Sequence, residues 1–305
     1  MHCRRSAWFA IAALALAANA ASASQRDDAQ PATAKPAQAM PCKDESDWNE
    51  ATAPRHVFGN TWYVGSCGIT AVLITSPEGH VLIDGATEQA ADGIARSIEA
   101  SGHRLRDVRV ILNTHEHFDH AGGIAKLQQL SGARVLSRTA ALPVLRSGKS
   151  MRNDPQHLEL KAFPAIPDAR RIADDGVVRV GTLTVQVHAT PGHAPGSTSF
   201  SWRSCEGTDC RQVVYADSVS ALADGEYLYS DHPEYRASFE SGMQAIADID
   251  PCDILLTPHP SVSALWPRLR GEQPMASEGA CRALAESGRQ NLQKRLDKES
   301  TETPR

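Results

Sequence analysis

The chain has 305 residues, 41% of them hydrophobic and 22% charged, the balance of a soluble globular protein with room for one large domain or two small ones. Its formal net charge is −5 and its pI about 6.2. No basic excess points to a nucleic acid partner, which also argues against an RNA-processing nuclease.

At the N-terminus, Arg4 and Arg5 precede the nearly continuous apolar run Ala7–Ala18, and the small-residue steps Ala18-Asn19-Ala20 and Ala21-Ser22-Ala23 follow. That order predicts a secretory signal peptide over residues 1–23, cleaved after Ala20 or Ala23. The run is shorter than the roughly 18 apolar residues a membrane span needs, so no anchor is expected in the mature form. Residues 24–45, rich in Ala, Pro and polar types, read as a flexible lead-in to one domain over 46–300.

Thr61–Val64, Ile69–Thr75 and His80–Asp84 read as successive strands, with turns at Ser66–Gly68 and Pro77–Gly79. Ala86–Ala100 has helical spacing in Ala90, Ala91, Ile94 and Ile98, closed by Gly102. Val108–Leu112 is a buried strand by its continuous apolar character. Gly122-Gly123 opens a helix to about Leu130, and Arg134–Ser137 is a further strand. Thr139–Pro167, broken by four prolines, predicts a short helix and a long loop of the kind that is often functional. Strands follow at Gly176–Val180, Leu183–Ala189, Thr198–Trp202, Gln212–Ala216 and Asp253–Thr257, and helices at Tyr235–Ile249 and Ser277–Lys298. Two blocks of strands, each with helices, suggest two sheets face to face with helices outside, although periodicity alone supports only mixed α and β.

Once Cys3 leaves with the signal, Cys42, Cys67, Cys205, Cys210, Cys252 and Cys281 remain. An even number in an exported protein suggests disulfides while leaving their pairing open. Cys205 and Cys210 are near enough in sequence to close a small loop; the other pairs would then be Cys42–Cys67 and Cys252–Cys281. No C-x-x-C pair supports a cysteine metal site.

The densest chemistry lies in Thr114-His115-Glu116-His117-Phe118-Asp119-His120, straight after Val108–Leu112. Imidazoles and a carboxylate bind zinc when they converge from a rigid support. On a helix, His115 and His120 could not share a face with His117, so a sharply turning strand end is expected. His193, in a Pro/Gly-rich turn after Leu183–Ala189, and His259, in Thr257-Pro258-His259-Pro260 after Asp253–Leu256, repeat the same arrangement.

HEHFDH with two distant histidines resembles the H-x-H-x-D-H signature of the metallo-β-lactamase superfamily. GNTWYVGSCGITAVLI, THEHFDHAGG, ATPGHAPGSTSFSW, VYADSVSA and DILLTPHPS further resemble its subclass B3, and the six cysteines resemble a branch with three disulfides paired as above. The resemblance covers about Asn60 to the terminal helix. It implies an α/β fold, an αββα sandwich of two mixed sheets, and two zinc ions per chain. The first would take His115, His117 and His193; the second would take Asp119, His120 and His259. It implies an enzyme in which a zinc-bound hydroxide opens the β-lactam ring of penicillins, cephalosporins and carbapenems, conferring antibiotic resistance; the signal peptide points to the periplasm, and nothing in the sequence demands more than a monomer. Asp119 would both ligate and orient the nucleophile, and Ser218 and Ser220 would receive the substrate carboxylate. Gln156 and Trp62 are expected to line the groove, Phe118 to form wall, and His188 to be a plain strand residue. Glu116 alternates away from the metal-facing histidines and is not expected to act as general base. Asp217 is ambiguous: related thioester and lactone hydrolases, the alternative reading, use an aspartate after a comparable strand to bridge both metals, whereas the subclass resemblance leaves it in support. No S-x-x-K occurs, which excludes a serine β-lactamase.

Overall fold

Apolar runs too short for helices become strands here, and their two faces decide the layering. The computed structural model describes residues 42–302; the expected signal peptide and most of the lead-in lie outside them. One sheet has seven strands in chain order: β1 (Arg55–Phe58), β2 (Thr61–Tyr63), β3 (Val72–Ile74), β4 (His80–Ile83), β5 (Val108–Leu112), β6 (Arg134–Ser137) and β7 (Arg170–Arg171). The other has five: β8 (Val177–Val180), β9 (Leu183–Ala189), β10 (Thr198–Glu206), β11 (Asp209–Tyr215) and β12 (Ile254–Leu256), in the order β12-β11-β10-β9-β8.

Alternation along the strands divides the apolar residues between layers. Val72, Ile74, Val81, Ile83, Val110 and Leu112 face the other sheet, meeting Val185, Val187, Phe200, Trp202, Val213 and Tyr215. The intervening Leu73, Leu82 and Ile111 face outward onto α1 (Ala91–Ala100) and α3 (Ile124–Ser131). On the far side, Val214 and Ala216 pack with Phe239, Met243 and Ile246 of α5 (Pro233–Ala247) and with Leu284, Ala285 and Leu292 of α7 (Ala280–Glu302). This is the αββα sandwich that the sequence implied. The remaining helices are short: α2 (Phe118–Ala121), α4 (Leu142–Ser147) and α6 (Leu265–Leu269). Among the described residues no helix is long and apolar enough to cross a membrane. Cys42–Cys67, Cys205–Cys210 and Cys252–Cys281 are disulfide-bonded, as expected.

Strand direction places the site. β4, β5 and β6 run parallel, so Asp84 and the histidine motif emerge at one end. β10 is antiparallel to both β9 and β11, and β11 is parallel to β12. The loops after β9, β11 and β12 therefore leave the second sheet together. Functional groups in open α/β sheets gather outside such carboxyl ends.

Several boundaries differ from expectation. The expected strand Ile69–Thr75 shrinks to β3 because Thr70 N donates to the Pro258 carbonyl (2.8 Å), joining the His259 loop rather than the sheet ladder. The expected Thr198–Trp202 and Gln212–Ala216 strands run on into one hairpin, in which Cys205 pairs directly with Cys210. β1, β7 and α6 were not expected.

Candidate metal centre

Asp84 sets the entry to the site. It holds φ at 65°, a left-handed conformation that aspartate tolerates better than most residues. Its Oδ1 accepts from Thr114 N (2.7 Å) and its Oδ2 from the Thr114 hydroxyl (2.7 Å) and from the Tyr215 hydroxyl of the opposite sheet (2.9 Å). Thr114 is thereby fixed just before His115. His115 and His117 follow in extended chain, and the single turn of α2 then carries Asp119 and His120. The motif is thus half extended and half helical, where a turning strand end alone was expected.

The six expected ligands converge. His115 ring centroids lie 4.6 Å from His117, 4.7 Å from His193 and 4.3 Å from His120. Among the described residues, two groups offer atoms close enough to share an ion: His115 with His117 and His193, and His115 with Asp119 and His120. His259 stands at the edge of the second group, its Nε2 3.5 Å from Asp119 Oδ2 and its ring 5.2 Å from His120. It is the most exposed of the six; the others are buried.

Groups behind the rings determine which nitrogen faces the centre. His115 Nδ1 lies 2.8 Å from Asp217 Oδ1, and His117 Nε2 lies 2.9 Å from Asp154 Oδ2. His193 Nδ1 lies 3.0 Å from the Ser220 carbonyl. Carboxylates and carbonyls only accept, so these three nitrogens carry protons. His115 Nε2, His117 Nδ1 and His193 Nε2 are left with lone pairs. His120 Nδ1 is 3.8 Å from Asp84 Oδ2. His115 Nε2 and both His120 ring nitrogens are buried without hydrogen-bond partners, although Asp119 Oδ2 is 3.1 Å from His120 Nε2. Orphaned buried nitrogens are costly unless something ligates them. The donor set and its outer carboxylates therefore fit zinc.

The electrostatics agree. Burial, then the neighbouring imidazoles of His120, His117 and His193, hold His115 well below the usual histidine range. Burial and His117 take His193 down to about 4, and burial and His120 take His259 to about 4. These rings are neutral, as metal ligation requires. Burial would lower His117 and His120 too, but Asp154 and Asp119 respectively outweigh it. Asp119 is held well below the usual carboxylate range, because His120 and its neighbours outweigh burial. Glu116 is raised to about 7 by burial and then by Asp154. Its Oε1 accepts from Gly196 N (2.9 Å), so it braces the His193 loop.

The other expected residues divide. The Ser220 hydroxyl lies 2.9 Å from His193 Nδ1 and supports that ring, while Ser218 is half-buried on the same loop. Gln156 follows the Asp154 turn, its N donating to Asp154 Oδ1 (2.8 Å). Trp62 is a correction: it packs on the outer, helix-covered face of the first sheet, edge-on to His56 and His103, and does not line the groove. Strand alternation put its side chain there, and Trp48 takes the aromatic place, 5.6 Å from His259 and 6.0 Å from Phe118. His188 is a strand residue as expected, bonded to the Ser201 hydroxyl. Nothing in the sequence marks Asp84 as a support, and only the irregular loop around Asp154 gives any signal for the other. Trp48, Phe118 and Lys161 help line a cavity of about 540 Å³, and Lys161 Nζ sits 5.3 Å from the Phe118 ring.

The His193 loop also depends on α5. A Cβ on Gly242 would overlap the Pro191 carbonyl oxygen. A helix Gly→Ala change ordinarily gains about 1 kcal/mol. Here the sign should reverse: Gly242→Ala is expected to destabilise by about 1–3 kcal/mol through overpacking, measured by urea denaturation.

Comparison with known proteins places this geometry. The family model of the metallo-β-lactamase superfamily matches residues 64–206. The metallo-β-lactamase MIM-1 from Novosphingobium pentaromativorans is 42% identical, with a TM-score of 0.84 over 87% of this chain and 98% of that one. MEM-A1, a subclass B3 metallo-β-lactamase from a soil metagenome library, is 43% identical, with a TM-score of 0.81 over 84% of this chain and all of that one. A hydroxyacylglutathione hydrolase of Bradyrhizobium sp. (strain ORS 278) is 31% identical over 137 residues, 45% of each chain. The chain spans about half the length of the curated relatives it matches. Identity sustained over whole solved structures, together with a shared fold, makes this chain a member of the metallo-β-lactamase superfamily, of the subclass B3 kind.

Proposed function

We propose that this protein is an exported zinc hydrolase that opens the amide ring of β-lactams. The observation that carries the reading is the buried cluster in which the outward nitrogens of His115, His117 and His193 are held by proton-accepting groups, leaving their inward nitrogens free. Two zinc ions are inferred, one on His115, His117 and His193, the other on Asp119, His120 and His259. Zinc bound there would supply Lewis acidity and a water whose pKa is lowered to about 7.

The chain's own residues do the rest. Asp119 supplies the anionic oxygen of the second trio and a hydrogen-bond acceptor that orients the attacking water. Ser218 receives the substrate carboxylate, while Ser220 keeps His193 in its ligating tautomer and Gln156 steadies the Asp154 turn. Trp48 and Phe118 offer apolar faces, and Lys161 a cation, to the substrate side group. Glu116 faces Gly196 and takes no part in proton transfer, so the departing ring nitrogen draws its proton from solvent. Residues 46–300 act as one catalytic domain. Three disulfides and the N-terminal pattern support a periplasmic location, where destruction of the intact β-lactam would confer antibiotic resistance.

The second reading, thioester hydrolysis, is favoured by the curated relatives named hydroxyacylglutathione hydrolase. One assay separates the two: purified protein given a penicillin, a cephalosporin, a carbapenem and a glutathione thioester, with and without chelator. Chelator-sensitive turnover of the β-lactams, restored by zinc, is expected. Turnover of the thioester alone would overturn the proposal, and chelator-resistant β-lactam turnover would overturn its metal chemistry.

A further inference from the structure

In sequence the terminal helix α7 reads as charged, yet three features press it against the metal-site loops. The Cys252–Cys281 disulfide ties its first turn to the residues just before β12, the strand that delivers His259. At Gly288 a Cβ would lie 3.0 Å from Val219 Cβ and overlap Met243 Sδ, so glycine lets the helix approach the Asp217–Ser220 loop. One turn on, Asn291 Nδ2 donates to the Val219 carbonyl (3.3 Å). Between helix and loops lies a cavity of about 180 Å³ lined by Ser218, Ser220, His259, Val262, Ser287 and Asn291.

We infer that Ser287 and Asn291 form a specificity wall for the substituent that a β-lactam carries beside its ring carboxylate. The inference rests on the proposed function, which sets that carboxylate at Ser218. A group projecting past the carboxylate from there meets the helix. The cavity is small for a ligand site, since whole-ligand pockets run to roughly 300–1,000 Å³. It therefore admits compact substituents and selects against large ones. Its lining offers a hydroxyl and an amide on the helix side and the apolar Val262 opposite, which favours substituents with one hydrogen-bonding edge.

The experiment compares kcat/KM for a cephalosporin bearing a large substituent beside the carboxylate with that for a penicillin bearing only methyl groups. Ser287 is exposed on the helix, so Ser287→Leu should fold normally, and near-ultraviolet circular dichroism checks this. It narrows the cavity and should lower the cephalosporin-to-penicillin ratio about 10-fold, through KM, the scale of discrimination a small misfit in a pocket gives. Asn291→Ala widens the cavity and should raise the ratio. Glu286→Leu, an exposed neighbour outside the cavity lining, should leave it unchanged. Wild-type turnover with a ratio that none of the variants moves overturns this inference alone. A wild type that turns over no β-lactam overturns the proposed function and the inference with it.

Discussion

Asp119→Asn is expected to lower kcat for β-lactam hydrolysis by about 10²- to 10³-fold, the scale seen when one preorganised charge-stabilising group is lost. The change keeps the side chain's shape and one oxygen but removes the carboxylate that, among the described residues, lies within ion-pair distance of both His120 and His259. The second trio then becomes two neutral imidazoles and an amide, a poor zinc site. The first trio is untouched, so metal analysis should show about one equivalent retained after dialysis against limiting zinc. Glu116→Gln is the contrast. Glu116 is as deeply buried and only three residues away, but its carboxylate reaches Gly196 rather than the cluster. It should cost less than about 10-fold. Equal losses in the two variants, or loss of both metal equivalents in Asp119→Asn, would refute the division of ligands between two ions.

The proposed ligands are legible in sequence because their segments sit at the tips of short apolar strands followed by turn residues, a pattern that survives without knowledge of tertiary pairing. His115, Asp119, His193 and His259 all follow from that grammar. The groups that orient them do not. Asp84 precedes His115 by a whole helix–strand excursion, and Asp154 lies in a proline-broken loop; each becomes a support only because parallel strands and a folded-back loop bring it behind an imidazole. Strand edges were the other blind spot. β1 presents Arg55 and His56 to solvent, so it lacks the apolar run by which buried strands were found, and β7 has two arginines and no apolar residue. Trp62 misleads for a related reason. A tryptophan beside a strand signal looks like a groove residue, but alternation turned Trp62 outward, while Trp48, in an irregular stretch, reaches His259.

Asp217 decides between the two chemistries open to this fold. Were it a metal bridge, as in the thioester and lactone hydrolases, both ions would depend on it, and Asp217→Ala should empty the site and abolish turnover at any zinc concentration. The structure instead sets Asp217 Oδ1 2.8 Å from His115 Nδ1, the nitrogen that turns away from the cluster, and neither metal-competent group among the described residues includes Asp217. Its carboxyl is raised above the usual aspartate range by burial, against which His193 and hydrogen bonds from Ser197 and the Ser218 backbone pull only in part. Removing it frees the ring to rotate and exchange tautomers while leaving every ligand in place. Asp217→Ala is therefore expected to weaken zinc affinity by about 10- to 100-fold, the usual cost of losing a carboxylate behind a ligating histidine. Saturating zinc should restore both metal equivalents and much of kcat. A zinc titration of activity alongside metal content reads this directly: a curve shifted to higher zinc with a recovered plateau supports the orienting role, whereas a flat, inactive protein would mean that the aspartate bridges and that the thioester reading deserves first place.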